Sequence, residues 1–328
     1  MFDFYKLNLQ LFAELNTNVT GDSGLSVENK TYYDMTLIDE AQANLVHDQF
    51  AQKRPIPKNG GKKIEFRKFA SLPKALTPLT EGVTPDGKKL SVTSIEAEVA
   101  QYGDYIVQSD VLELTSIDNT IVEATKILGR QAGLTLDTIT RNILQSGTNV
   151  YYCPKGDGTA VTSRAGLDAT CKLTVDVVNR VVALLKKNNA PKINGDYVAI
   201  IHPLVAYDLM SDERWIEAHK YAQPENLYNG ELGKIGGVRF IESSEAKVYE
   251  NGVFGCLFLA DGAYGVTEIT GGGLQTIIKQ KGSAGTADPL DQRSSIGWKA
   301  IKTAEILVEP YMVRVECKSA LSDKAEAN

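Results

Sequence analysis

At 328 residues, 43% of them hydrophobic, the chain can bury a sizeable core and is neither a fibrous nor a disordered polymer. A formal charge of −6 and a pI near 5.3 exclude a dedicated nucleic-acid binder, which would concentrate lysine and arginine to displace phosphate counterions. No stretch approaches the roughly 18 apolar residues of a membrane span, and Met1-Phe2-Asp3-Phe4-Tyr5-Lys6 carries no leader pattern, so no membrane partner is expected.

Residues 1–57 read as an N-terminal arm. Leu7, Leu9 and Leu11 alternate as in a strand, and from about Tyr33 to Ala51 the residues Leu37, Ala41, Leu45 and Phe50 share a helical face that Pro55 ends.

Residues 58–103 read as an extended β-ribbon. Lys62-Lys63-Ile64-Glu65-Phe66-Arg67-Lys68-Phe69 alternates charged and apolar residues. On the return arm Ile95, Ala97 and Val99 fall on one face, and Glu96, Glu98 and Ala100 on the other. Pro73, Pro78, Pro85, Gly82 and Gly87 break regular structure between the arms. A two-stranded ribbon is marginal in water by itself, so it is expected to dock on a neighbouring molecule. Lys58 to Leu90 holds eight basic residues against Glu65, Glu81 and Asp86, a net of +5 that leaves −11 for the remainder. Lys62, Lys63, Arg67, Lys68, Lys88 and Lys89 are therefore candidate contacts to acidic surface on a neighbouring copy, with Glu113, Asp118 and Glu123 as candidate partners.

Within residues 104–173 lies the strongest helix signal, 118–146. Ile121, Thr125, Leu128, Ala132, Thr135, Leu136, Ile139 and Ile143 step by threes and fours, with Asp118 as N-cap and Gly147 as the C′ residue. Residues 174–292 mix helix and strand. A helix from Thr174 to Asn189 turns Val177, Val178, Val181, Val182 and Leu185 inward and stops at Pro191. Tyr197 to Ile201 reads as a buried strand, followed by a short helix from Pro203 to Met210. Further strands are expected at Val238 to Glu242, Cys256 to Ala260 and Gln275 to Lys279, with turns at Asn251-Gly252 and Asp261-Gly262. Residues 293–317 read as a long strand pair, Trp298 to Leu307 with Tyr311 to Cys317, and 318–328 as a polar tail that frays.

No enzyme, cofactor or metal site is expected. Gly82-Val83-Thr84-Pro85-Asp86-Gly87-Lys88-Lys89 approaches a phosphate-binding loop, but it lacks the final Ser/Thr, contains a rigid proline and precedes a strand. Gly271-Gly272-Gly273 reads as a turn. His47, His202 and His219 form no metal motif, and His202 before Pro203 reads as a hydrogen-bonded structural residue. Cys153, Cys171, Cys256 and Cys317, without a C-x-x-C pair, read as reduced structural thiols. Trp215 and Trp298 suit either core or interface.

Several segments, in order, resemble the major capsid proteins of tailed bacteriophages, and most closely the branch first recognised in a podovirus coat protein. They are Leu79-Thr80-Glu81-Gly82-Val83-Thr84-Pro85, Gln101-Tyr102-Gly103, Leu136-Asp137-Thr138-Ile139-Thr140-Arg141-Asn142, Ile200-Ile201-His202-Pro203, Gly230-Glu231-Leu232-Gly233-Lys234-Ile235, Asp288-Pro289-Leu290 and Gly297-Trp298-Lys299. Together they extend the resemblance over most of residues 60–317. It implies an α+β fold with an N-terminal arm, an extended loop (58–103), a peripheral domain with a spine helix (104–173, completed by 293–317) and an axial domain (174–292). The implied function is a self-assembling icosahedral virion shell of pentamers and hexamers, built in the bacterial host cytoplasm. Implied partners are a separate scaffolding protein, a portal and packaged DNA by incidental contact. The alternative is the shell of a cellular nanocompartment. A covalent Lys-to-Asn cross-link known in one member does not carry over, because no segment identifies its acceptor or catalytic carboxylate.

Overall fold

The computed structural model describes residues 37, 40, 41, 45–57, 61–69, 72–79, 81–84, 86–115, 120–222, 232–268, 272–283 and 288–328. Leu7, Leu9, Leu11 and Asp118 lie outside them. The ribbon strands are β2 (Lys63–Phe69) and β3 (Val92–Glu98), preceded by the short β1 (Gln52–Lys53) and continued by β4 (Ala100–Ser109). Helices α1 (Asp110–Thr115) and α2 (Thr120–Gln145) lead to β5 (Val150–Tyr152), α3 (Val175–Lys187), β6 (Tyr197–Ile201), α4 (Pro203–Met210) and α5 (Glu213–Ala222). Then come β7 (Lys234–Ile235), β8 (Val238–Glu242), β9 (Val248–Tyr249), β10 (Val253–Leu259), β11 (Tyr264–Glu268), β12 (Gln275–Lys279), β13 (Arg293–Ile306) and β14 (Met312–Cys317).

The described strands form three sheets. One is the β2–β3 ribbon. The second is built around β13, which pairs along one edge with β4 and along the other with β11 and β12, while β1 extends β11. The third runs β5-β14-β10-β6-β8-β7, with β9 on β10.

The spine helix α2 forms because its apolar residues recur on one side. Ala124, Leu128, Ala132 and Leu136 are buried against Ile296, Trp298 and Ala300 of β13 and against Leu37 and Ala41 of the arm. Twenty-six residues make a rod of about 39 Å. At its C-terminus Gly147 does not take the expected left-handed conformation. The chain leaves instead by a tighter turn, with Ser146 N donating to Ile143 O and Gly147 N to Leu144 O. A Cβ at Gly147 would lie 2.7 Å from Met312 Cε, the end of a flexible side chain that can move aside.

The arm is clasped to the spine by charge as well as packing. Asp137 Oδ1 accepts from Val46 N (2.9 Å) and His47 N (2.7 Å), and Asp137 Oδ2 pairs with His47 Nδ1 at 2.7 Å. Next to this, Lys302 of β13 pairs with Asp48 and donates to Leu136 O at 3.0 Å, while Thr140 Oγ1 donates to Asp48 Oδ1 at 2.6 Å. The Tyr264 hydroxyl donates to His47 O. Burial, and then the carboxylates of Asp48 and Asp137, push that phenol well above the ordinary tyrosine value. Of the helix expected over Tyr33 to Ala51, Leu37, Glu40 and Ala41 are helical, and by His47 the chain has already turned.

In the third sheet both faces are covered, which is why β6 is an unbroken apolar run. Ala199 and Ile201 face a core with Val178, Val181, Val182 and Leu185 of α3, whereas Val198 and Ile200 face Leu144, Tyr264 and Met312. Thr174 caps α3 by accepting from Val177 N. Trp215 and Trp298, at 2% and 3% exposure, are core residues, and all four cysteines are buried free thiols.

Two expectations are corrected. β13 and β14 do not pair with each other, because the turn at Glu309–Tyr311, built on Pro310, carries the chain from the second sheet to the third. The segment 318–328 does not fray: Ser319 Oγ donates to Leu204 O at 2.9 Å, and Asn328 N donates to Val248 O at 3.2 Å.

His202 caps α4, its Nδ1 accepting from Leu204 N at 3.2 Å. Burial holds the imidazole below the ordinary histidine value of 6.5. The unfolded chain then takes up a proton more readily than the folded one. This stability contribution is complete above 6.5 and is lost as pH falls from there toward the lower folded value. His202→Asn keeps a capping acceptor without titrating, so urea unfolding of this variant should depend less on pH across that window. A pH dependence equal to that of the parent would overturn the assignment.

Candidate inter-subunit surface

The ribbon has a firm root and an uncovered tip. Antiparallel register from Lys63↔Glu98 to Phe69↔Val92 puts Phe66 opposite Ile95 and Ile64 opposite Ala97 on one face. Phe66 and Ala97 are buried, Phe66 against Gly265 of β11 and beneath the Arg54 guanidinium, 5.7 Å from the ring centroid. Beyond this root the apolar residues have no cover. Leu72, Val83, Leu90 and Val92 are exposed, and Leu76 and Leu79 are 82% and 77% exposed. Gly82 sits at φ 75, a turn conformation, and Asp86 to Ser91 is irregular up to β3, so no helix follows the phosphate-loop-like segment.

The candidate basic residues split into two groups. Lys63 Nζ lies 3.5 Å from Glu96, Arg67 Nη2 lies 3.1 Å from Glu65, and Lys88 Nζ donates to Pro73 O at 3.3 Å, so these three are engaged within the ribbon. The hydrogen bond from Arg67 holds the Glu65 carboxyl below the usual range. Lys62 and Lys89 are exposed with no described side-chain partner, and the side chain of Lys68 lies outside the described residues. Among the acidic candidates, Glu123 is exposed in the first turn of α2 and pairs with Lys126 at 3.0 Å. The Glu113 side chain and all of Asp118 lie outside the described residues. The described contacts therefore bring no candidate base to a candidate acid within one chain.

A second apolar surface escaped the sequence reading. On β4, Ile106 and Gln108 turn toward the spine, while Tyr105 and Val107 are 68% and 50% exposed on the opposite face. The spine side is fixed by Gln131, which donates to Asp104 Oδ2 at 2.6 Å and accepts from Trp298 Nε1 at 3.3 Å. Val111, Leu112 and Leu114 of α1 extend the exposed set, as does Leu290 beside the Gln292–Asp110 backbone contact. Gly297 keeps this face close-set, since a Cβ there would stand 2.7 Å from Tyr105 Cβ. Three consecutive apolar residues, Tyr105-Ile106-Val107, were the available signal of a strand apolar on both faces.

Residues 118–266 match the family of phage capsid proteins. The chain superposes on the capsid of cyanophage P-SCSP1u with a TM-score of 0.65 at 13% identity, over 82% of this chain and 87% of that one. For the capsid of cyanophage Pam1 the TM-score is 0.66 at 14% identity, over 86% and 92%. The fold is that of phage capsid proteins, and the family match falls within it. The match of 118–266 runs from the start of the spine helix into β11, and so takes in parts of the second and third sheets. A virus-like particle from Pyrococcus furiosus shares the fold at a TM-score of 0.51 and 12% identity, over 88% of this chain and 99% of that one. No curated protein matches the sequence. No described helix is long and apolar enough to cross a membrane.

Proposed function

We propose that copies of this capsid protein close into the icosahedral shell, pentamers and hexamers together, that encloses a phage genome, each laying its ribbon on the body of a neighbour. The observation that carries this reading is the pairing of two uncovered apolar surfaces in one chain, the ribbon tip and the outward face of β4 with α1. In this reading residues 58–103 are the extended loop, the spine helix with the sheet around β13 is the peripheral unit, and the sheet β5-β14-β10-β6-β8-β7 with its helices is the axial unit. The protein acts by assembly rather than catalysis. A separate scaffolding protein and a portal join it in the host cytoplasm, and contact with packaged DNA is incidental. A nanocompartment shell is the second reading, because the fold also occurs in the Pyrococcus furiosus particle; the phage capsid family match favours the virion.

Magnitudes rank the contacts. Burying a leucine is worth about 1.5–3 kcal/mol, whereas an exposed ion pair is worth about 0.2–1 kcal/mol. Electron micrographs of the purified protein, with scaffold supplied, should show closed shells. Leu76→Ser/Leu79→Ser/Leu90→Ser should raise the concentration needed for assembly by about tenfold or more. Lys62→Gln/Lys63→Gln/Lys88→Gln/Lys89→Gln should slow assembly modestly and flatten its salt dependence. Shells of the leucine variant forming at the parent's concentration would refute ribbon docking.

A further inference from the structure

The edge of β4 that does not face β13 has no strand beside it among the described residues. Which backbone groups it presents follows from the register. Tyr105 stands opposite Gly297, and a Cβ on that glycine would lie 2.7 Å from Tyr105 Cβ, the close approach of an antiparallel pair that exchanges no hydrogen bonds. One step past Ser109, Asp110 N donates to Gln292 O at 2.9 Å, which puts the even-numbered residues on the β13 side. Gln101, Gly103, Tyr105 and Val107 therefore turn their N–H and C=O groups outward. Of these amides, that of Tyr105 has a described partner, the Asp104 carboxylate at 2.8 Å.

Solvent-facing edges are ordinarily blunted by proline, lysine, a bulge or shortness. β4 is ten residues long and has none of these. Its charged residue, Asp104, is turned toward the spine, where Gln131 donates to it at 2.6 Å. Tyr105 and Val107 stand exposed on the outward face next to the open edge. Such a strand is a template for another one.

We propose that the β4 strands of two copies pair antiparallel across a two-fold axis at Ile106, so that the second sheet continues from one subunit into the next. Opposed side chains share a face only when the axis passes through a residue rather than between two. An axis at Asp104 would set two carboxylates opposite each other, and one at Tyr105 would put Gly103 against Val107 and leave a gap. At Ile106 the axis places Tyr105 beside the partner's Val107 and Val107 beside the partner's Tyr105, covering apolar side chains that a single copy leaves exposed. Tyr105 N then exchanges the Asp104 carboxylate for the carbonyl of the partner's Val107. Because β3 leads almost directly into β4, the pairing carries each ribbon past the partner's α1, where Val111, Leu112 and Leu114 are exposed. The contact is isologous, as a two-fold axis of a closed shell requires. It rests on the shell reading for its role, while the pairing itself involves no residue of the ribbon tip.

The experiment separates the edge from the face. Val107→Pro removes an outward amide and leaves the bonds to β13 in place, and proline is tolerated where a strand's N–H faces solvent. Val107→Thr keeps the amide and loses apolar surface. With scaffold supplied and assembly followed by light scattering, Val107→Pro should raise the concentration needed for assembly about tenfold or more, and Val107→Thr should fall between it and the parent. Ile106→Cys, oxidised by copper phenanthroline in air, should give a disulfide-linked dimer, because opposed residues of a non-hydrogen-bonded pair stand close enough to bridge. The native cysteines are buried, so the parent provides the blank. No dimer from Ile106→Cys, or assembly of Val107→Pro at the parent's concentration, would overturn the pairing. If Val107→Pro folds poorly, the cross-link alone decides. Ribbon docking is judged separately by the leucine variant, so edge pairing can fail while the shell reading stands.

Discussion

Asp48→Ala should lower the unfolding free energy of the subunit by about 3–5 kcal/mol, among the largest effects of any single side chain. Lys302 is 2% exposed, and its ammonium has two described acceptors, Asp48 and Leu136 O. Removing the carboxylate strands a charge where water does not reach it and also takes the acceptor from Thr140 Oγ1. A buried pair costs desolvation on both sides, so removing both charges together should hurt far less than removing one. Asp48→Leu/Lys302→Met should recover most of the loss. Chemical denaturation of the two single variants and the double variant completes the cycle. A double variant as unstable as Asp48→Ala alone would show that the pair is not a self-contained unit.

Gly133→Leu should detach the arm from the spine. The arm crosses α2 so closely that a Cβ at Gly133 would overlap Ala41 O, and one at Gly129 would stand 2.8 Å from Leu37 O. In both cases the obstruction is backbone, which cannot swing aside as a flexible side chain does. Overpacking of this kind costs about 1–3 kcal/mol. A leucine exceeds what the crossing can absorb, and it also misaligns the Asp137–His47 contact one turn along. The expected result is faster tryptic cleavage after Lys53 together with a lower unfolding midpoint. Unchanged cleavage would mean that the crossing is not what holds the arm. Gly133→Ser, smaller but still carrying a Cβ, should fall between the parent and the leucine variant.

Legibility followed locality. Thr174, the valines of α3, the apolar run of β6 and Pro203 at the first position of α4 each declare themselves within a few residues, and the expected elements match the observed ones closely. The ribbon's register was equally readable, because alternation and turn residues sit in one segment. What escaped depends on distant partners. The β4–β13 pairing, Arg293↔Ser109 through Lys302↔Ala100, leaves no local trace. β11, Tyr-Gly-Val-Thr-Glu, is too short and too mixed to read as a buried strand. Helix α5 buries Trp215 among polar neighbours, and so lacks the apolar stripe that marks α3. Lys302, His47 and Asp137 look like solvated groups in sequence, and only the fold reveals them as interior pairs. At the candidate interface, charge drew attention to lysines that are partly engaged within the ribbon, whereas the leucines of the same loop are the larger uncovered resource.

The arm's clasp also has a place in time. Asp48 and its lysine are 254 positions apart, and Tyr264, whose hydroxyl closes over His47, lies 217 residues beyond it. A chain emerging from the ribosome therefore presents its arm and spine helix long before the groups that fasten them exist. Loop-closure entropy makes contacts of such range late ones even in the finished chain. The clasp can close only when nearly all of the chain has been made, so partial chains lack the ribbon root and seated arm of a complete one.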